Sequence, residues 1–196
     1  MKKIINADET LAENIVIIED MKKFNFSKTL PERFDFHYSN KIIDVGYRNV
    51  QVQGFVRIPF DIIYVIVLDS NKQKMYAPLM FTPQYQYIES VVVKQSGKNV
   101  TDELLKITRK RYVDYMKKTC QLNREESIKK VENLIAYYQT HKKEPEILVL
   151  PLQERQEDGK LFFSIFDGVH RAALSHIFGR ETIKAYVALV GEPVYE

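Results

Sequence analysis

The alternation of hydrophobic and polar positions divides the chain into two parts. In residues 1–60 the signals are mixed. Leu11, Ile15 and Ile18 recur at helical spacing, whereas NVQVQGFVRI (49–58) alternates as a strand does. Two apolar runs around a polar turn then predict a β-hairpin within YVIVLDSNKQKMYAPLMF (64–81). From residue 101 onward the predicted order of elements is clearer.

Two helices come first in this second part. TDELLKITRKRYVDYMKK (101–118) has its apolar residues on one side and a dense set of lysines and arginines elsewhere. The next helix begins at Asn123, whose side chain can cap the backbone while Glu126 occupies the reciprocal position, and it should end near His141. Each of these helices predicts one buried face.

The rest of the chain predicts strands around a third helix. Apolar runs at 146–152 and 161–166 flank a polar turn, a helix follows with Gly179 as its C′ residue, and TIKAYVALV (182–190) is a closing strand. Helix, strand, turn, strand, helix and strand form an α/β (α+β) arrangement. We therefore expect a small mixed sheet with packed helices.

Composition and length exclude only a few classes of protein. The chain has 196 residues and a net charge of +3, which fits one domain, or one domain with an extension, and suits anionic small ligands as well as nucleic acid. The single cysteine, Cys120, excludes a disulfide framework and is expected to be a buried small apolar residue. With no Cys/His cluster, signal peptide or membrane-length apolar run, we expect no metal site and a soluble, cytoplasmic protein with no membrane partner.

The candidate chemistry lies in FSIFDGVHRAALSHIFG (163–179), where a strand leads into a helix. A helix N-terminus offers unpaired N–H groups to an anion, and Gly168 would let a phosphate approach the backbone. His170 and Arg171 add two donors in the first turn, and Asp167 adds a carboxylate that could act as a base. Together these residues predict a phosphate site beside an acid.

A structural interpretation of the same residues stays open. Asp167 could be only an N-cap, Gly168 only a turn residue, and the two cations only solvated. Cations at a helix N-terminus are unfavourable unless an anion meets them, and this argues for a ligand.

The segment of about residues 127–190 resembles the ParB/sulfiredoxin superfamily. The shared pattern is a helix, then "I.V.PL", a turn, a strand, "DG.HR..A...G" and a closing strand. The resemblance reaches back to VRIPFDIIYVIV (56–67). It implies a ParB/sulfiredoxin-like domain over residues 56–196 with a helical insertion around 101–118, preceded by an N-terminal extension over residues 1–55.

The branches of the superfamily differ in their chemistry. Sulfiredoxin places a reactive cysteine immediately before its His-Arg pair, where this chain has Val169. Partition ParB proteins bind CTP through a GERR-like loop and carry a helix-turn-helix domain after it, whereas this chain reads DGVHR and ends at Glu196. The nearest branch is the ParB-like small-molecule kinases.

Resemblance to those kinases implies roles for the joint. Asp167 would be the catalytic acid or base, with His170 beside it. Gly168, Val169, His170 and Arg171 would form the nucleotide-binding loop. Those kinases also use a glutamate from an earlier segment, for which Glu89 and Glu154 are the candidates.

The expected function is a nucleotide-dependent small-molecule kinase. Its cofactors would be ATP or another nucleotide and Mg²⁺, and its second substrate a small hydroxylated molecule, in polysaccharide or small-metabolite biosynthesis. Two alternatives remain: a non-catalytic nucleotide- or DNA-binding ParB-like module, and a ParB-like nuclease. The run RKRYVDYMKK (109–118) mixes cations with aromatics as a nucleic-acid surface does, although a solvated helix face with inward tyrosines is the favoured interpretation.

Overall fold

The computed structural model describes residues 15–17, 30, 33–45, 49–68, 74–141, 144–154 and 161–188. Within these ranges the chain forms one mixed sheet with helices packed against it. The strands are β1 (Ile15–Ile17), β2 (His37–Asp44), β3 (Asn49–Pro59), β4 (Ile63–Leu68), β5 (Lys74–Pro78), β6 (Glu146–Glu154), β7 (Leu161–Asp167) and β8 (Thr182–Ala188).

The helices that are described over their whole length follow β5 and β7. They are α1 (Pro83–Gln95), α2 (Asp102–Cys120), α3 (Arg124–Thr140) and α4 (Val169–Ile177). The predicted capping box of α3 is confirmed: the Glu126 N–H donates to Asn123 Oδ1, and the Asn123 N–H donates to Glu126 Oε2, both at 2.9 Å. Gly179 follows α4 with a φ of 83°, as expected of a C′ glycine.

The sheet order is β2-β3-β8-β6-β7-β4-β5, and β1 pairs with β6. β4 runs parallel to β7, β6 runs parallel to β8, and the other pairs are antiparallel. The predicted hairpin is confirmed as β4 and β5, and the α/β class is confirmed as well.

Alternate strand residues face the helices and form the main core. Val149, Phe163 and Ile183 from the strands pack with Tyr112 and Leu174 from the helices, and all five are almost fully buried. The opposite face of the sheet holds smaller apolar clusters. The central strands therefore carry buried apolar residues on both of their sides.

The structure differs from the expectations in three places. Ile15–Ile17, which the helical spacing placed in a helix, is strand β1 paired with β6, because sheet pairing overrides a weak local period. Helix α1 was not predicted at all. The boundary placed between residues 55 and 56 falls inside β3, so strands from the expected extension belong to the same sheet.

Among the described residues, no helix combines the length and apolar character needed to cross a membrane.

Candidate functional site

The joint between β7 and α4 begins with a β-bulge. Leu148 pairs with Asp167 while Val149 pairs with Ile165, so one extra residue, Phe166, interrupts the ladder immediately before Asp167. A bulge bends a strand and redirects the side chains that follow it. The bulge therefore helps to set where the Asp167 carboxylate lies.

Gly168 connects the strand to the helix in a conformation that other residues avoid. Its φ is 100°, and it stands at the N-cap position of α4 without a side-chain cap. A Cβ atom here would lie 2.9 Å from both Ile147 Cγ2 and Arg171 Nη2. The backbone conformation and the close packing thus both require a glycine here. Arg171 occupies the space through which a phosphate was expected to approach Gly168.

Asp167 and Arg171 form an ion pair across the first turn of α4. Arg171 Nη2 donates to Asp167 Oδ2 at 2.5 Å, and the two side chains are 42% and 41% exposed. Asp167 is therefore not the N-cap of the structural interpretation. An ion pair this exposed contributes at most about 1 kcal/mol, so Arg171 can exchange Asp167 for another anion at small cost.

His170 is a neutral side chain held within the fold. The Tyr112 hydroxyl donates to the Ser127 carbonyl oxygen at 3.2 Å, so the Nε2–H of His170 donates to the Tyr112 oxygen at 3.0 Å. Burial, and to a lesser extent the nearby charges of Lys130 and Arg171, lower the pKa of His170 to about 3. The sequence pattern predicted that His170 is a second cation at the joint. In the structure its lowered pKa makes it neutral instead.

A tyrosine hydroxyl from each of α1, α2 and α3 contacts helix α4. Tyr85 of α1 lies 2.9 Å from Nδ1 of His176, and Tyr112 of α2 contacts His170. Tyr138 of α3 donates to the Arg171 carbonyl oxygen at 3.3 Å. These contacts fix the helix that carries the joint.

The joint opens onto a cavity of about 540 Å³. The parallel strands β4 and β7 pair at Ile63↔Phe163 and Tyr64↔Ser164. The cavity lies past these pairs, at the carboxyl ends of the two strands. Ligands of α/β proteins commonly bind at the carboxyl ends of parallel strands. The joint contributes Asp167, Gly168, Val169, His170 and Arg171 to the cavity wall.

Two residues that line the cavity each carry a buried polar atom without a partner among the described residues. The atoms are Gln84 Oε1 and Ser164 Oγ, in residues that are 5% and 2% exposed. Buried polar atoms are normally hydrogen-bonded, and an unsatisfied one is costly. Such atoms point to a bound ligand or water, and this observation is independent of the helix N-terminus.

The helix N-terminus itself is suited to an anion. The first intrahelical bond of α4 runs from the Ala172 N–H to the Gly168 carbonyl oxygen at 2.9 Å, so the amides before Ala172 have no acceptor within the helix. Lys130 of α3 also lines the cavity and is exposed. A cation and free amides on the same wall favour a negatively charged ligand.

Glu89 lies outside the cavity wall, and the backbone of Glu154 lies far from the joint. Glu89 is exposed on α1, outside the cavity wall. Glu154 ends β6, six residues beyond Leu148, which pairs with Asp167, and six extended residues span about 20 Å. Among the described side chains, Asp167 is thus the carboxylate on the cavity wall.

Cys120 was expected to be buried, and that prediction is wrong. It is the last residue of α2, it is exposed, and it lines the same cavity. The end of a helix leaves its last side chain without a covering layer, and so a small apolar residue remains accessible there.

Gln84 and Lys130 are among the cavity residues that the sequence patterns did not identify. Gln84 lies in the unpredicted helix α1, although Thr82 before Pro83 is a recognisable start: Thr82 Oγ1 accepts from the Tyr85 N–H at 3.2 Å, and proline occupies the first turn. Lys130 carries no sequence signal, because it resembles any lysine on an exposed helix face.

Within the described part of the chain, no group of three or more His, Cys, Asp or Glu side chains could hold a metal ion. Mg²⁺ in nucleotide enzymes is commonly held by one or two carboxylates together with the substrate phosphates. Asp167, a single carboxylate on the cavity wall, fits that pattern.

Comparison of the chain with protein-family models, curated proteins and solved structures finds no match. The resemblance to the ParB/sulfiredoxin superfamily therefore rests on its residues and element order alone.

Proposed function

We propose that the protein is a nucleotide-dependent phosphotransferase, a ParB-like small-molecule kinase whose nucleotide binds in the cavity beside the β7–α4 joint. The observation that carries the proposal is the convergence on one cavity wall of a helix N-terminus, a releasable arginine, a carboxylate and unpartnered buried polar atoms. A volume of about 540 Å³ lies within the usual range for ligand cavities.

The charges of the site suit phosphate binding. On nucleotide entry, Arg171 exchanges Asp167 for phosphate oxygens, and the amides at the start of α4 and Lys130 add donors. Release of Arg171 frees the Asp167 carboxylate. When bound, Mg²⁺ would be held by Asp167 and the phosphates and would neutralise their charge.

A second, smaller cavity offers a place for the acceptor. It measures about 260 Å³ and shares Asp167 and Arg171 with the larger cavity, with Lys41 and Tyr186 among its other lining residues. A small hydroxylated molecule there would have its hydroxyl beside Asp167. The carboxylate takes the hydroxyl proton, the oxygen bonds to the terminal phosphorus, and the bond from that phosphorus to the nucleoside diphosphate breaks.

The test combines binding and turnover. Asp167→Asn should reduce phosphoryl transfer by about 10²-fold or more, because it removes the general base. It should retain nucleotide affinity without Mg²⁺, since it removes a charge that repels phosphates. Turnover is measured as phosphate transfer from labelled ATP to a panel of small hydroxylated molecules.

The adjacent residues Lys129 and Lys130 provide a matched control for the measurement of ATP binding. Lys130→Ala should weaken ATP binding, measured by calorimetry, because it removes a cation from the cavity wall. Lys129→Ala should not, because Lys129 is exposed and outside that wall. Equal affinities for both variants, or normal turnover by Asp167→Asn, would contradict the proposal.

A further inference from the structure

A third cavity, of about 370 Å³, is lined by residues from the end of α3, the start of β6 and the first turn of α4. Leu134 and Arg171 line both this cavity and the larger one, whereas Glu146 and Arg171 line both this cavity and the smaller one. The third cavity therefore adjoins the other two at Arg171. Its volume lies within the usual range for ligand cavities.

The third cavity has an aromatic wall. Tyr137 and Tyr138 line it, and Tyr137 is 45% exposed. The Tyr137 ring stacks on that of His141, with centroids 4.0 Å apart and 12° between the planes, and this contact holds the ring in one orientation. Leu134 and Pro145 add further apolar surface. An exposed aromatic ring in a fixed orientation gives a ligand a flat apolar surface to pack on.

The polar part of the wall consists of acceptors whose charge is already neutralised. Glu144 accepts two hydrogen bonds from Arg57, at 2.5 and 2.6 Å, and Glu146 accepts one from Lys184 at 2.9 Å. The two glutamate side chains are 28% and 36% exposed. A carboxylate has about four lone-pair sites, so both groups can accept further hydrogen bonds from a ligand.

This combination of groups suits an uncharged ring that bears several hydroxyl groups. The face of a sugar ring carries C–H groups that pack on a tyrosine ring, and its edge carries hydroxyl groups that donate to carboxylates. A cationic ligand would meet carboxylates that are already paired with Arg57 and Lys184. An anionic ligand would meet the negative side chains of Glu144 and Glu146.

We propose that the third cavity binds a sugar ring, packed on Tyr137 and hydrogen-bonded to Glu144 and Glu146, and that this sugar carries the acceptor hydroxyl. The second part of this inference rests on the proposed function and names the class of its acceptor. Asp167 lines the smaller cavity, which adjoins the third cavity at Glu146 and Arg171. A sugar held on Tyr137 is therefore next to the place proposed for the reacting hydroxyl.

Binding is tested with small sugars of known structure in the absence of nucleotide. The probes are the methyl glycosides of glucose, galactose, mannose and N-acetylglucosamine, and sorbitol is the control, since it has the hydroxyl groups of a hexose without the ring. Saturation-transfer nuclear magnetic resonance on the wild-type chain measures the dissociation constants. At least one glycoside should bind about tenfold or more tightly than sorbitol, because only a ring presents a continuous face to Tyr137.

Variants then identify the residue. Tyr137→Ser removes the ring and should weaken glycoside binding about tenfold or more, whereas Tyr137→Phe keeps the ring and should retain binding. Both changes are at an exposed position, where substitutions have small effects on stability. Tyr38→Ser is the control: Tyr38 is an exposed tyrosine of β2 outside the cavity wall, and its loss should leave glycoside binding unchanged.

The outcomes separate this inference from the proposed function. If no glycoside binds, if sorbitol binds as tightly as the glycosides, or if binding survives in Tyr137→Ser, the third cavity is not a sugar site and the nucleotide site stands. A chain that binds ATP and binds a glycoside through Tyr137, but transfers no phosphate from labelled ATP to it, contradicts the acceptor role. If the glycoside binds and ATP does not, the proposed function fails and the sugar site stands.

Discussion

At the scale of single residues, the Arg171 guanidinium could pair with the Asp167 carboxylate or with a ligand phosphate. In the structure it binds Asp167 and fills the space beside Gly168. A ligand phosphate would compete for the same guanidinium with two parallel hydrogen bonds. Because the pair with Asp167 is two-fifths exposed, it is a weak competitor for a phosphate of the proposed nucleotide.

Gly168 provides a residue-scale prediction with a built-in control. Gly168→Ala should lower the free energy of unfolding by more than Gly179→Ala does. Both glycines have positive φ, at 100° and 83°, and so both variants incur backbone strain of about 1–2 kcal/mol. Only Gly168 would place its Cβ within 3 Å of other atoms, whereas nothing lies within 4 Å of a Cβ at Gly179.

Urea denaturation of the two variants measures the difference. Equal losses would show that Ile147 and Arg171 move aside freely, and close packing would then not be what requires a glycine at the joint.

At the scale of elements, α4 is positioned by its neighbours as much as by its own sequence. His170 packs edge-on against Tyr112, with ring centroids 5.7 Å apart, and Tyr112 stacks on Tyr87 of α1 at 5.0 Å. Burial raises the pKa of Tyr112, which keeps its hydroxyl protonated. The first turn of α4 is therefore anchored through two other helices.

This anchoring predicts a pH dependence of stability. An unfolded histidine binds a proton near pH 6.5, whereas His170 in the folded chain, with its pKa of about 3, stays neutral down to about pH 3. Between these values the unfolded state binds more protons, so His170 makes the free energy of unfolding decrease as the pH falls, by up to about 1.4 kcal/mol per pH unit. Above pH 6.5 it has no such effect.

The measurement is chemical denaturation from pH 7 to pH 4. His170→Gln keeps a donor for Tyr112 and removes the titration, so its stability should decrease less steeply than that of the wild-type chain. His141→Gln, at an exposed position, is the control. Identical slopes for His170→Gln and wild type would show that His170 is protonated in the folded chain.

The sequence predicted an element correctly where the element carries a strong local signal. Strong local signals were sufficient for α3, with its capping box, and for the hairpin of β4 and β5. Ile15–Ile17 was misassigned because its pairing partner lies more than 130 residues away, at Leu152–Glu154. No local pattern reports such a contact.

For the site too, local patterns predicted some features, whereas others depend on tertiary contacts. The motif places Asp167, Gly168, His170 and Arg171 at one joint, and in the structure all four line the same cavity. The neutral state of His170 depends on its burial in the fold, and the place of Gln84 on the cavity wall depends on how the helices pack on the sheet. Those properties come from tertiary contacts between distant segments, which composition and spacing do not encode.

At the scale of the whole molecule, the cavity brings together elements from across the chain. It is lined by β4, β7 and the start of α4, and by residues of α1, α2 and α3. Ligand binding there would connect the sheet to α1, α2, α3 and α4. The cavity also carries its own reporter, because Cys120 is exposed on its wall and is the chain's single cysteine.

The rate at which N-ethylmaleimide alkylates Cys120 tests most directly whether the nucleotide binds in this cavity. Saturating ATP with Mg²⁺ should slow the reaction several-fold, because the nucleotide fills the space that the thiol faces. A control chain with Cys120→Ser and Lys98→Cys carries its thiol on an exposed loop outside the cavity wall, and its rate should not change. If ATP binds by calorimetry but leaves the alkylation of Cys120 as fast as before, the nucleotide is bound elsewhere and the cavity beside the β7–α4 joint is not the nucleotide site.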